Sequence, residues 1–250
     1  MKLQAQSFLF SGLLLACSGG EDADTAAASD TAAVSDTDTD TDTDTDTDTD
    51  VGVDTIDFTV TFVEFLTQEP IVGATLKQGG ETFTTDANGS ATIPVEPNSG
   101  LAYTLTADGF RDHYLYRRIE DSDLSVTGYL SSISTSDLVL STLGMENDES
   151  KVLLTANVLG PIDDNGGASL AGVTVDLSVG YALSLVTDAE APGGFSLGNT
   201  TLEGSDAAVI FIHADAGTIT PSLAGGDCDS GFDSFDVPAG SYVIATYNCE

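Results

Sequence analysis

Phe58-Thr59-Val60-Thr61-Phe62 decides the fold. Large apolar side chains at every second position alternate with threonines, and only an extended strand puts such a set on one buried surface. The same period of two returns in Tyr103-Thr104-Leu105-Thr106-Ala107 and in Val173-Thr174-Val175-Asp176-Leu177-Ser178-Val179. Val209-Ile210-Phe211-Ile212 and Ala216-Gly217-Thr218-Ile219-Thr220 continue the strand composition. Turn chemistry separates these runs, as in Asp86-Ala87-Asn88-Gly89 and Asp163-Asp164-Asn165-Gly166-Gly167. The spacing predicts an all-β chain of antiparallel sandwiches. Helical signal is confined to residues 134–144, where Ser136 is placed to cap a short helix carrying Leu138, Val139, Leu140 and Leu143, with Gly144 ending it. A strand fits that stretch almost as well. The polar run at 146–150 reads as a boundary between two domains, 51–146 and 147–250.

Composition sets the outer limits. Of 250 residues, about 50 at the start hold little that can be buried, which leaves enough chain for two ordinary domains. Lys plus Arg number 6 against 41 Asp plus Glu, a formal charge of −35. Nucleic acid is thereby excluded as a partner, because phosphate binding needs a basic patch. Residues 36–50 are a strict Asp-Thr alternation, and 17–50 read as a disordered spacer kept extended by repulsion between like charges, able to reach roughly 110 Å at full stretch. Specific calcium binding by this run is disfavoured, since an EF-hand-type loop needs an internal Gly and a closing Glu, and the run has neither.

Ahead of the spacer, Leu14-Leu15-Ala16-Cys17 closes an apolar run that follows Lys2. The motif resembles the lipobox of bacterial lipoproteins. Nine apolar-region residues, 8–16, are too few for a spanning helix of about 20. The resemblance implies that 1–16 is a cleaved signal peptide and that Cys17 receives a lipid and anchors the product to a membrane of the cell envelope. Ser18 rather than Asp after Cys17 favours the outer membrane by the sorting habit of that class. With Cys17 lipidated, Cys228 and Cys249 are left as an even pair, and an oxidising compartment predicts a disulfide between them.

A second resemblance lies in an ordered series: Ile71-Val72-Gly73-Ala74-Thr75-Leu76, then Thr84-Thr85-Asp86-Ala87-Asn88-Gly89-Ser90-Ala91-Thr92-Ile93, then Tyr103 to Ala107 followed by Asp108-Gly109-Phe110. It resembles the carboxypeptidase regulatory-like domain, whose pattern runs from "pGA-x-V" through "T-D-x-x-G" to "A-x-G-Y/F". The family implies a prealbumin-like or Ig-like sandwich with no peptidase site. Asn88-Gly89 suggests a tight hairpin, and Gly109 a turn after a buried strand. The second half echoes the theme in Leu170-Ala171-Gly172-Val173-Thr174-Val175, Val186-Thr187-Asp188 and Gly193-Gly194-Phe195-Ser196-Leu197, then departs from it.

Candidate chemistry is sparse. Gly194-Phe195-Ser196-Leu197-Gly198 matches the G-x-S-x-G of serine hydrolases, but no helix follows the serine as a nucleophile elbow requires. His113 and His213, one per half, are too far apart in sequence to announce a zinc site. Asp227, Asp229, Asp233 and Asp236 surround Cys228 and Gly231 and form the one calcium candidate, although Gly231 is misplaced for an EF-hand and the closing Glu is missing. Tyr114-Leu115-Tyr116-Arg117-Arg118 joins aromatics to scarce cations; Tyr114, Tyr116, Arg117 and Arg118 are candidates for an acidic polysaccharide, against the plainer reading of a packed strand. The chain is expected to be a non-catalytic surface module for binding or adhesion, its partner a glycan or a protein. The alternatives are a purely structural accessory module and, last, a hydrolase built on Ser196.

Overall fold

Alternation along β1 (Ile56–Glu64) buries Phe58, Val60 and Phe62 and leaves Thr59 and Thr61 half exposed, as a period of two demands. The computed structural model describes residues 55–161, 168–191, 193–203 and 206–250. The expected signal, lipidation site and spacer, and the Asp163 to Gly167 turn, lie outside them. Within them the chain is all-β, with seventeen strands and one helix.

In the first half, β1 lies between β4 (Ser90–Val95), antiparallel, and β7 (Leu124–Leu130), parallel. This small sheet faces β2 (Thr75–Gln78), β3 (Glu81–Thr84), β5 (Gly100–Thr106) and β6 (His113–Arg118) across a core that includes Phe58, Phe62, Ile93, Leu76, Leu105 and Leu115. Gly89 has the expected positive φ of 77°, yet its turn does not close a hairpin: β3 and β4 belong to different sheets, and the turn carries the chain from one to the other. Asp86 holds that turn by accepting from the amides of Asn88 and Ser90 at 2.8 and 2.9 Å. A Cβ at Gly89 would stand 2.5 Å from the Phe62 carbonyl oxygen, so the turn needs glycine for closeness as well as for φ.

In the second half, β8 (Lys151–Leu159), β10 (Leu183–Thr187), β11 (Phe195–Leu197) and β12 (Ala208–Asp215) form the sheet. The ladders β9 (Thr174–Leu177) with β14 (Pro221–Ala224), and β13 (Gly217–Ile219) with β16 (Phe235–Val237), cover it. Between sheet and ladders, Leu154 packs with Val175, Val209, Phe211, Ile219 and Phe235 in a second core.

β17 (Tyr242–Cys249), the last strand in chain order, runs parallel to both β6 and β8 and fuses the halves into one ten-stranded sheet. Successive side chains point to opposite faces, so Ile244 joins the first core while Val243, Ala245 and Tyr247 line the second. In β6, likewise, Leu115 packs into the first core and Tyr114 and Tyr116 against the second. One sheet thus carries a core on each face. Of the thirteen ladders among the described residues, the ten outside β1–β7, β6–β17 and β8–β17 are antiparallel.

Residues 134–144 resolve as helix: α1 (Ile133–Thr142) is capped by Ser132, whose hydroxyl accepts from the Thr135 amide at 3.2 Å, and not by Ser136, which is buried inside the helix. Gly144 ends it at φ 72°. Leu140 presses on Leu153, Leu185 and Ile212, covering the face of the second-half sheet that its main core leaves open.

Candidate functional site

The Tyr-Arg run and the Asp-rich loop, read from the sequence as two sites, meet in space. Alternation splits the run. Tyr114, Tyr116 and Arg118 face one side, while Leu115 and Arg117 face the other. Tyr116 stacks on Phe235 at 4.6 Å between ring centroids and meets the edge of Phe232 at 5.4 Å. Arg118 ion-pairs with Asp229 at 2.6 Å and reaches Glu120 at 3.5 Å. Arg117 is buried, its guanidinium 5.3 Å from the centre of the Phe58 ring, and burial lowers its pKa. The four residues therefore make no single exposed platform; three of them join a clasp between the halves.

Two glycines let the clasp close. A Cβ on Gly100 would stand 2.7 Å from the Gly231 carbonyl oxygen, and one on Gly231 would stand 2.6 Å from the Gly100 Cα. Gly231 also has φ 78°, and its amide donates to Asp229 Oδ1 at 2.6 Å. Behind the loop, β15 (Cys228–Asp229) pairs with β17, setting Cys228 opposite Cys249 with Cα atoms 3.9 Å apart and the disulfide formed.

The four loop aspartates have different fates. Asp229 is committed to Arg118 and Gly231, and Asp236 accepts from the Thr218 hydroxyl at 2.5 Å. Asp227 and Asp233 line, with Asp229, a cleft of about 360 Å³ whose walls include Leu223, Phe232 and Tyr247. Among the described residues, no three His, Cys, Asp or Glu side chains converge as a metal ion requires.

Ser196 sits on β11 and donates to the Asp188 carboxylate at 2.5 Å, which with the Glu190 amide lowers the pKa of that carboxyl. It pairs across from Val186, which pairs with Val209. His213 is four residues farther along β12, so the two Cα atoms are roughly 16 Å apart at ordinary strand spacing and rise. A general base must come within hydrogen-bonding reach, and this geometry does not supply one. His213 occupies the bulge between Phe211 and Ala214 with φ 56°. His113 is fully buried, stacked on Tyr242 at 5.1 Å, with Nδ1 2.7 Å from the Arg111 carbonyl oxygen. Burial pushes its pKa down to about 4; the hydrogen bond to the Arg111 carbonyl opposes this, and the Arg111 charge adds a smaller push downward.

Two polar groups escape the sequence reading. Glu64 is 8% exposed and accepts from the amides of Leu66 and Thr67 at 2.8 and 2.7 Å and from the Thr135 hydroxyl at 2.7 Å, tying β1 to α1. Burial raises its pKa, but the Thr135, Thr67 and Leu66 hydrogen bonds outweigh that, so the net shift is downward. Its signal was present: Glu64 continues the buried parity of Phe58, Val60 and Phe62. Tyr247 lines the acidic cleft with its hydroxyl buried and unpartnered among the described residues; nothing in its sequence neighbourhood marks it.

No protein-family model matches the sequence. No curated protein matches it either. Among solved structures, the chain is similar to the Bacillus anthracis TIE protein at 11% identity and a TM-score of 0.26, over 78% of this chain and 34% of that one. It is also similar to the minor pilin of Streptococcus agalactiae at 13% identity and a TM-score of 0.25, over 77% and 95% of the two chains. The shaft pilin SpaA of Lactobacillus rhamnosus GG stands at 13% and 0.24, over 79% and 98%. The chain thus spans about a third of the length of the first of these.

Proposed function

We propose that this protein is a lipid-anchored component of the bacterial cell envelope, held by Cys17 at the outer membrane, that presents non-catalytic β-sandwiches, the first of them carboxypeptidase regulatory-like, for binding at a distance from the bilayer. The lipobox-like Leu14-Leu15-Ala16-Cys17 and the acidic spacer support the tether. One observation supports the non-catalytic reading: His213 stands roughly 16 Å from Ser196 along and across the strands, beyond the reach of a general base. The acid-lined cleft beside the disulfide is the ligand contact.

Two comparisons test this. Cys17→Ala moves the full chain from the membrane fraction to the soluble fraction, and a variant that stays membrane-bound contradicts the anchor. A thermal-shift panel of calcium and of neutral and acidic polysaccharides reads binding, because a ligand of the native state raises the melting point. The clasp favours a second reading: Tyr116 and Arg118 engaged in holding the halves together suit an accessory module that supports a partner protein. A panel without a single shift selects that reading.

A further inference from the structure

We infer that the cleft formed by Asp227, Asp229 and Asp233 beside the Cys228–Cys249 disulfide takes an organic cation on an apolar stem, as a lysine side chain presents. The inference rests on the binding-module reading and gives that site its ligand class. Asp229 already answers Arg118, so the cleft keeps two carboxylates, Asp227 and Asp233, without an ion pair among the described residues. Tyr247 adds an independent polar demand: it is 3% exposed, lines the cleft and its hydroxyl has no hydrogen-bond partner among those residues. Burial also holds its proton far above neutral pH, so the group stays a neutral hydroxyl with unused hydrogen-bonding capacity.

The spacing of these groups separates a metal from an organic cation. Calcium wants six to eight oxygens at about 2.3–2.6 Å, and these carboxylates do not converge that closely. An ammonium carries three N–H donors, bonds at about 2.8 Å, and follows the acceptors on a flexible stem. Pro221, Leu223 and Phe232 supply an apolar wall for the methylenes of that stem. A volume of about 360 Å³ is at the small end for ligand sites and suits one side chain better than a large molecule. The formal charge of −35 concentrates cations near the surface.

The test titrates Nα-acetyl-lysine methylamide into the full chain carrying Cys17→Ser, followed by amide NMR shifts, with the norleucine analogue as the uncharged control. Saturable shifts at Gly226, Ser230 and Phe232 are expected with the lysine compound and not with norleucine. In Asp227→Asn/Asp233→Asn, whose carboxylates are free of ion pairs among the described residues, affinity falls at least tenfold; in Tyr247→Phe it falls less. Putrescine distinguishes sources: equal binding identifies free amines as sufficient, and weaker binding identifies the peptide-borne side chain. Equal binding of norleucine, or unchanged affinity in the double variant, overturns the inference. A failed lysine titration beside a positive polysaccharide shift removes this ligand class and leaves the binding module standing.

Discussion

His113 makes the stability of the protein depend on pH in a way that can be calculated and then removed. Its folded pKa is about 4, against an ordinary value of 6.5. The neutral ring is favoured in the folded state, so below pH 6.5 the unfolded chain takes up a proton that the native chain refuses. Stability from this group is therefore full above about pH 6.5 and is lost as pH falls toward about 4. The whole shift is worth about 3 kcal/mol at 1.36 kcal/mol per pKa unit. Between pH 7 and pH 5 the expected loss is about 2 kcal/mol, before most carboxylates titrate. The groups around the ring are Arg111, Phe110 and Tyr242, and the Arg111 charge opposes protonation. His113→Asn removes the titration while keeping a donor toward the Arg111 carbonyl. Urea denaturation at pH 7 and pH 5 measures both proteins; the wild type should lose about 2 kcal/mol more than the variant. Equal losses would refute the burial of a neutral imidazole.

Gly100→Ala should cost about 1–3 kcal/mol by forcing a methyl against the Gly231 carbonyl and the Phe232 ring, read as a lower urea midpoint. Cys228→Ser with Cys249→Ser releases a 21-residue separation and should lower stability by about 3 kcal/mol, a melting shift of roughly 6–12 °C by calorimetry. Glu64→Ala orphans the Leu66 and Thr67 amides and should cost about 1–3 kcal/mol, with faster hydrogen exchange in α1. Glu64 has a lowered pKa, so its stabilisation is present above the unfolded value near 4.5 and disappears as pH falls through the lower folded one. That window lies below the His113 measurements.

The alternating strands were legible because burying one face of a sheet writes itself into every second residue, as in β1, β5 and β9. Glu64 went unread although it carried a signal, a charge on buried parity. The partner of each strand was not legible. β17 has an ordinary pattern, and nothing local tells it to lie parallel between β6 and β8. Parity likewise splits Tyr114, Tyr116 and Arg118 from Arg117, but which face receives Phe232 and Phe235 depends on a loop more than a hundred residues away. The helix start slipped from Ser136 to Ser132 because the hydroxyl-rich run 131–136 offers several capping side chains, and Glu64, distant in sequence, receives the cap. The disulfide was readable from count and compartment, while the clasp it braces was not.

Differential scanning calorimetry of the intact protein tests most directly the claim that β17 binds both sandwiches into one cooperative body. A single transition whose calorimetric and van't Hoff enthalpies agree, near 140 kcal/mol for about 200 ordered residues, is the predicted result. Two resolved transitions, or a calorimetric enthalpy about twice the van't Hoff value, would show halves that unfold separately and would contradict it.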